Sequence, residues 1–485
     1  MSAALPDRQH QAPDQVLVDI ADYVLGRRQF HGLAFETARL CLIDSLGCAL
    51  ESLQYPECTK LLGPLVPGTV VPHGARLPAT PYQLDPVCAA FNLGAMIRWL
   101  DFNDTWLAAE WGHPSDNIGA ILMTADWLSR RAAAAGGTPP AMRDVLNAMV
   151  QAYEIHGVIA LENSFHDAGL DHVLLVKVAS TAVVARLLGL DRDQIINAIS
   201  LAWVDGHALR TYRHAPNTGS RKSWAAADAA SRAVRLALMA RSGEMGCPSA
   251  LSAPTWGFQD ACFGGRPLRI SRPYGSYVIE NILFKVRFPA EFHGQTAVEA
   301  ALALREQLAA TGRSAADIER ITLRTQQAAI RIIDNKGPLH TPPERDHCIQ
   351  YMVAVALLHG RLTAPDYEDA VATDPRIDAL RQRIDCVEDP RFTADYHDPD
   401  KRSIANALGA LLRDGTQWPE VVVEYPIGHR LRRAEATPLL EAKFRSNLAR
   451  SFAPRQQQAI LHASMDSARM AQMPVHEYVD LYCPQ

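Results

Sequence analysis

Ile318-Glu319-Arg320-Ile321-Thr322-Leu323-Arg324-Thr325 is the stretch on which the fold turns. From Ile321 on, apolar and polar residues alternate with the period of two expected of a strand with one buried face. Most of what precedes it has another period. From Gln15 to about Gly243, apolar residues recur three and four apart, as in Val16-Ile20-Val24, Ala34-Ala38-Leu42 and Val145-Met149-Ala152, and this spacing predicts helices. Val176 to Leu188 and Ala225 to Ala240 are rich in Ala, Leu and Val almost all round, which predicts helices buried against several neighbours. Gly189 and Gly243 stand where such helices end.

Between the two textures, Pro248, Pro254, Gly257, Gly264, Gly265, Pro267, Pro273 and Gly275 crowd a segment that reads as a domain crossing, with a boundary near Arg272. Beyond it a helix over Thr296 to Ala309 leads to the strand. Ala405 to Leu412 then enters the turn Asp414-Gly415, and Val421-Val422-Val423-Glu424-Tyr425 reads as strand again. The tail from Pro438 to Asp480 returns to helical spacing, with Leu440-Phe444-Leu448 and Leu461-Met465 on apolar faces. The expected fold class is therefore mainly α: a large all-helical domain over 1–272, a smaller mixed α/β (α+β) domain over 273–430, and C-terminal helices over 431–485 that return to the helical domain.

A chain of 485 residues has room for two cores and a pocket. Its net charge is only -5 and its arginines are scattered, so no general surface for nucleic acid is implied. No uninterrupted apolar run reaches the roughly 18 residues needed to span a bilayer. The polar stretch from Met1 to Val16 lacks the basic start and apolar core of a signal peptide, which predicts a cytoplasmic protein. Nine cysteines form no CxxC pair, so neither structural zinc nor an iron-sulfur cluster is expected, and the thiols read as reduced and mostly buried. GxGxxG after a strand, GxxxxGK[ST], HExxH and GxSxG are all missing, which removes nucleotide-binding, zinc-peptidase and serine-hydrolase readings.

Chemistry concentrates in a few places. In Leu100-Asp101-Phe102-Asn103-Asp104-Thr105-Trp106, helical spacing would put Asp101 and Thr105 on one face with Trp99, Phe102 and Trp106 as apolar walls. Acidic spacing alone favours a helix end with solvated aspartates, because exposed Asp is the common case. His113-Pro114-Ser115-Asp116-Asn117 reads as a helix entrance with Ser115 as cap. There the positive end of the helix dipole would keep His113 neutral, although a plain loop histidine is an open alternative. Arg210, Arg213, His214, Arg221 and Lys222 gather around an Asn-Thr-Gly turn before the Ala225 helix and resemble a carboxylate or phosphate cradle. Gly169-Leu170-Asp171-His172 and the run from Phe284 to Gln295, with Lys285 and His293, are weaker by spacing alone.

These motifs, together with Arg272-Pro273-Tyr274-Gly275-Ser276-Tyr277, Phe288-Pro289-Ala290-Glu291-Phe292-His293, Asp346-His347-Cys348-Ile349-Gln350-Tyr351-Met352 and Arg455-Gln456-Gln457-Gln458, resemble the MmgE/PrpD family almost end to end. The resemblance implies a helical domain with a smaller lid and a cleft between them. It also implies a homodimer, no metal or other cofactor, and loss of water from a tricarboxylate, 2-methylcitrate, in the methylcitrate cycle. By motif, the residues that related cis-aconitate decarboxylases place around the same cleft fall on Asp101, Thr105, His113, His172, Lys222, Lys285 and Tyr351. His293 is an alternative to Lys285, because the stretch before Phe288-Pro289 is one residue longer here. Arg210, Arg213, His214, Arg221, Lys285 and His293 are the expected substrate-binding set. A decarboxylase, an isomerase or a silent tricarboxylate-binding protein would share these features.

Overall fold

The computed structural model describes residues 12–26, 30–214, 216–398 and 400–483; the polar start of the chain lies outside them up to Gln11. Helices dominate the first half. Val173–Leu187 is buried on every side from Val173 to Ala185, as its all-round apolar sequence requires. Met142–Ala160, Arg192–Val204 and Arg221–Arg241 surround it. The helix Pro86–Arg98 packs against Arg221–Arg241 so closely that a side chain on Gly94 would meet Ala227 Cα at 3.0 Å. The Ser223 hydroxyl bonds the Trp99 carbonyl at 3.1 Å, so the two helices run antiparallel, and the end of one, Arg98, lies beside the start of the other, Lys222.

Val278, Ile279, Ile282, Phe284 and Val286 pack into this same helical core. A second core begins at Phe288 and runs to Leu412, so the change of core falls later in the chain than the change of texture near Arg272. The second domain holds one sheet in the order Ile384–Glu388, Ile318–Thr325, Asn406–Leu412, Gln417–Val423. Its first pair is parallel and the others are antiparallel. The register of Ile318–Thr325 shifts between Ile318 and Arg320, which is why its alternation starts cleanly only at Ile321. The helix Gln295–Ala310 covers the sheet, and Ile349–His359 packs on that helix.

The chain then returns. Arg433–Ser451 lies along Gly32–Ser52, and Ala436, Leu440, Phe444 and Leu448 enter the first core. Tyr478 and Tyr482 of the last turns are buried there too. All nine cysteines are free. No helix among the described residues is long and apolar enough to cross a membrane.

Candidate active site

Residues 101–113 are not helical, contrary to the spacing argument for Asp101 and Thr105. The helix stops at Arg98, and Asp101 adopts a left-handed backbone with φ 49°. Such a conformation is costly for a non-glycine residue and is held here by its contacts. Lys285 Nζ donates to both the Asp101 carbonyl (2.6 Å) and its carboxylate (2.7 Å), and Arg98 donates to the same carboxylate. The chain then pairs as an isolated bridge: Thr105 N–H donates to Leu283 at 2.8 Å, and Leu283 N–H donates back at 3.1 Å. Trp106 turns into the helical core, donates to the Gly157 carbonyl at 3.2 Å and does not line the cavity that Asp101 and Thr105 share.

His113 precedes a single 3-10 turn, Pro114–Asn117, which leads into the helix Ile118–Ala134. Ser115 does not cap it. Its hydroxyl and N–H both donate to Asp104 Oδ1, at 2.6 and 3.1 Å, and Tyr153 donates to Asp104 Oδ2 at 2.6 Å, so the buried Asp104 fastens this turn to the preceding strand-like segment. The His113 ring is kept neutral, as expected, but by a different cause. Burial lowers its pKa well below the ordinary value, and the adjacent Arg98 cation lowers it further. His172, at the start of Val173–Leu187, is likewise pushed well down, first by burial, although the neighbouring Asp171 works in the opposite direction. The two rings lie 5.7 Å apart, centre to centre.

These side chains line a cavity of about 660 Å³ between the domains. Its helical wall holds Asp101, Thr105, His113, His172, Arg210 and Arg213, with Lys222 and Lys285 at its floor. The lid contributes Glu291, Arg331, Asn335 and His347. Of the residues expected from sequence, His214 also lines the cavity. Arg221 and Tyr351 are not among its lining residues. Arg221 stacks on Trp224 at 4.4 Å, and the Tyr351 hydroxyl donates to the Asp366 carbonyl at 2.6 Å. His293 sits fully buried behind Glu291 and Phe292, bonded to Glu291 at 2.8 Å and to the Tyr396 hydroxyl at 3.2 Å.

Charge in this cavity is arranged as cations over buried anions. Burial alone would raise the Asp101 carboxyl, but the Arg98, Lys285 and Lys222 cations outweigh it and hold the group well below the usual range. Asp171 follows the same pattern, with Arg213 as its strongest partner. Lys222 Nζ bridges to the lid through Asp346 at 2.8 and 3.0 Å and His347 at 2.9 Å. Among the described residues, Asp101, Asp346 and His347 offer ligand atoms within 4.8 Å of one another. Their carboxylates are already bonded to Arg98, Lys285 and Lys222, so a divalent ion would have to displace three fixed positive charges. The arrangement suits a polyanion better than a metal. Arg98 was missed by sequence reasoning about single residues, and Asp104 and Asp346 appeared there only within their motifs, without these partners. A lone arginine ending an apolar helix reads as an ordinary complement to the helix dipole.

A buried, cation-lined cavity with two neutral imidazoles, closed between a helical domain and a small α/β domain, defines an acid-base enzyme site for a small polyanion. The chain belongs to the MmgE/PrpD family: the model of the MmgE/PrpD N-terminal domain matches residues 18–271, and that of the C-terminal domain matches residues 288–467. It is 69% identical to a 2-methylcitrate dehydratase of Cupriavidus necator over 99% of this chain and 100% of that one. The 2-methylcitrate dehydratase of Escherichia coli K12 is 68% identical over 97% of each chain. A mitochondrial 2-methylcitrate dehydratase of Yarrowia lipolytica is 58% identical over 99% of this chain and 92% of its own.

Proposed function

We propose that this protein removes water from 2-methylcitrate to give 2-methyl-cis-aconitate, as a metal-independent hydro-lyase of the methylcitrate cycle. The observation that carries the reading is the pair of imidazoles, His113 and His172, held neutral by burial on the wall of a cavity otherwise rich in cations. Near-identical length and 69% identity to a protein of that name supply the substrate.

Dehydration has two difficult halves. A weakly acidic proton beside a carboxylate must be removed, and hydroxide must be helped to leave. A neutral imidazole suits the first. The second needs a protonated donor, and three substrate carboxylates in the cavity raise the proton affinity of the rings around them, so one imidazole carries the leaving proton. Negative charge growing on the substrate carboxylate meets Lys222, Lys285, Arg210 and Arg213, all fixed before the reaction begins. Asp101 holds Lys285 and lies 3.7 Å from His113 Nε2, where it steadies both. A homodimer in the cytoplasm, acting on a free tricarboxylate with no nucleic acid or membrane partner, completes the proposal.

The test is incubation of the purified protein with 2-methylcitrate, following the ultraviolet absorbance of the new conjugated double bond and identifying the products. We expect 2-methyl-cis-aconitate and no carbon dioxide. Release of carbon dioxide, or tight binding with no absorbance rise, would refute the reading.

A further inference from the structure

The two imidazoles differ in the sign of the charge beside them. His113 Nε2 lies 2.8 Å from Arg98 Nη2. A guanidinium has donors only, so Nε2 is the accepting, unprotonated nitrogen. Nδ1, 2.6 Å from the Asp104 carbonyl, then carries the ring hydrogen. At rest Arg98 is held there by buried carboxylates. It is 3% exposed, donates through Nη1 to Asp101, and has its Nε 3.8 Å from Asp116 Oδ2. His172 has an anion for a neighbour instead. Its Nδ1 stands 3.3 Å from Asp171 Oδ1, and Arg213 grips that carboxylate with Nε and with Nη2, the latter at 3.1 Å. Neither His172 nitrogen has a hydrogen-bond partner among the described residues, so the Nε2 side is left for a ligand.

A cation beside an imidazole opposes its protonation, and a carboxylate favours it. We infer that Arg98 and Asp171 are opposed positioning residues: Arg98 fixes His113 as the base through its bare Nε2, and Asp171 fixes His172 as the acid through Nε2–H. The assignment rests on the hydro-lyase reading of the site and deepens it. After burial, Arg98 is the strongest influence on His113 and lowers its proton affinity, whereas Asp171 is the strongest on His172 and raises it.

The step balances. His113 Nε2 takes the proton from the substrate carbon, the C–H electron pair becomes the new π bond, and the adjacent C–O bond breaks. The departing hydroxide takes the proton of His172 Nε2–H and leaves as water. His113 ends as imidazolium and His172 as neutral imidazole, and exchange with solvent restores both. The Nε2 lone pair that takes the proton is the one Arg98 Nη2 holds at rest, so Arg98 must release it as the proton arrives. Proton transfer is therefore coupled to Arg98 shifting onto a carboxylate, either Asp101 or one of the substrate's.

A change of leaving group tests both roles. An analogue of 2-methylcitrate with fluorine in place of the tertiary hydroxyl leaves as fluoride and needs little acid assistance, but it still needs the base. On 2-methylcitrate, His113→Gln, Arg98→Met, His172→Gln and Asp171→Asn should each lose turnover, by about a hundredfold or more for the histidines. On the fluoro analogue, His172→Gln and Asp171→Asn should recover to within about tenfold of the unaltered protein on that analogue, while His113→Gln and Arg98→Met stay as impaired as before. Arg98→Lys, which keeps a donor cation, should lie between Arg98→Met and the unaltered protein on both substrates. It serves in place of Arg98→Met if that variant fails to fold, and His172→Gln alone carries the acid side if Asp171→Asn fails. A merely structural role for Asp171 would depress both substrates alike, and for Arg98 the readout that a structural role would not move is the partial rescue by the donor cation of Arg98→Lys. Recovery of the His113 variant, or failure of the His172 variant to recover, would overturn the assignment. If the unaltered protein does not turn over 2-methylcitrate, the hydro-lyase reading falls and this inference with it; if it does but the variants sort otherwise, only the inference falls.

Discussion

The cavity has two unlike walls. On the helical side Asp101, His113 and His172 are each less than a tenth exposed; Asp101 is tied to Lys285 and Arg98, His113 to the Asp104 carbonyl, and His172 stands 3.3 Å from the Asp171 carboxylate. On the lid side Arg331 and Asn335 are exposed, and His347 is only half-buried. Lys222 joins the two walls through Asp346 and His347. The contrast teaches a division of labour. On the proposed chemistry, the groups that exchange protons sit where geometry and proton affinity are fixed in advance, while the lid supplies enclosure and charge that tolerate small displacement.

The largest effects should therefore come from the helical wall. His113→Ala and His172→Ala should each lower kcat by about 10²–10⁴-fold while leaving the helical circular dichroism unchanged. Near-normal turnover in either would remove the chemistry from that wall. Next comes His156, fully buried behind the Gly112 backbone, whose ring burial pushes down to about 3. The unfolded chain takes this proton first, near 6.5, so the stability that the neutral ring contributes is complete above that pH and is lost as pH falls from 6.5 towards 3. Between pH 7 and pH 4, the unaltered protein should lose about 3 kcal/mol more than His156→Asn in denaturant titrations. Equal slopes would mean that the helical wall is not so tightly packed. On the lid, Arg331→Gln should raise KM by about fivefold with kcat unchanged, the size expected of one exposed charge. A fall in kcat instead would move the lid into the chemistry. Smallest of all, a chelator such as EDTA should leave turnover unaffected, since Arg98, Lys285 and Lys222 already occupy the carboxylates a metal would need.

The same contrast explains what the sequence could disclose. Helices such as Val173–Leu187 and Arg221–Arg241 were legible because one helix and its neighbours settle an apolar pattern locally. The strand Ile384–Glu388 escaped notice because it is short, with only Ile384 fully buried. Asp101 lines the cavity, but on a left-handed turn rather than on the helix that its spacing predicted. No Gly or Pro marks the turn, and its left-handed conformation is imposed by Lys285, far along the chain. Arg98 was invisible for a similar reason: its role comes from His113 and Asp101 closing around it, which no spacing on one helix reveals. Tyr351 and Arg221 carried plausible chemistry in the right motifs, yet their side chains are committed to Asp366 and to Trp224.

The central claim is that His113 and His172 act as one unit in a metal-free elimination. The most direct measurement is kcat for His113→Gln, His172→Gln and the double variant on 2-methylcitrate. If the pair is a unit, the double variant should fall within about threefold of the slower single variant, because either loss already abolishes the concerted step. Multiplication of the two effects, or turnover near the unaltered level in either single variant, would contradict it.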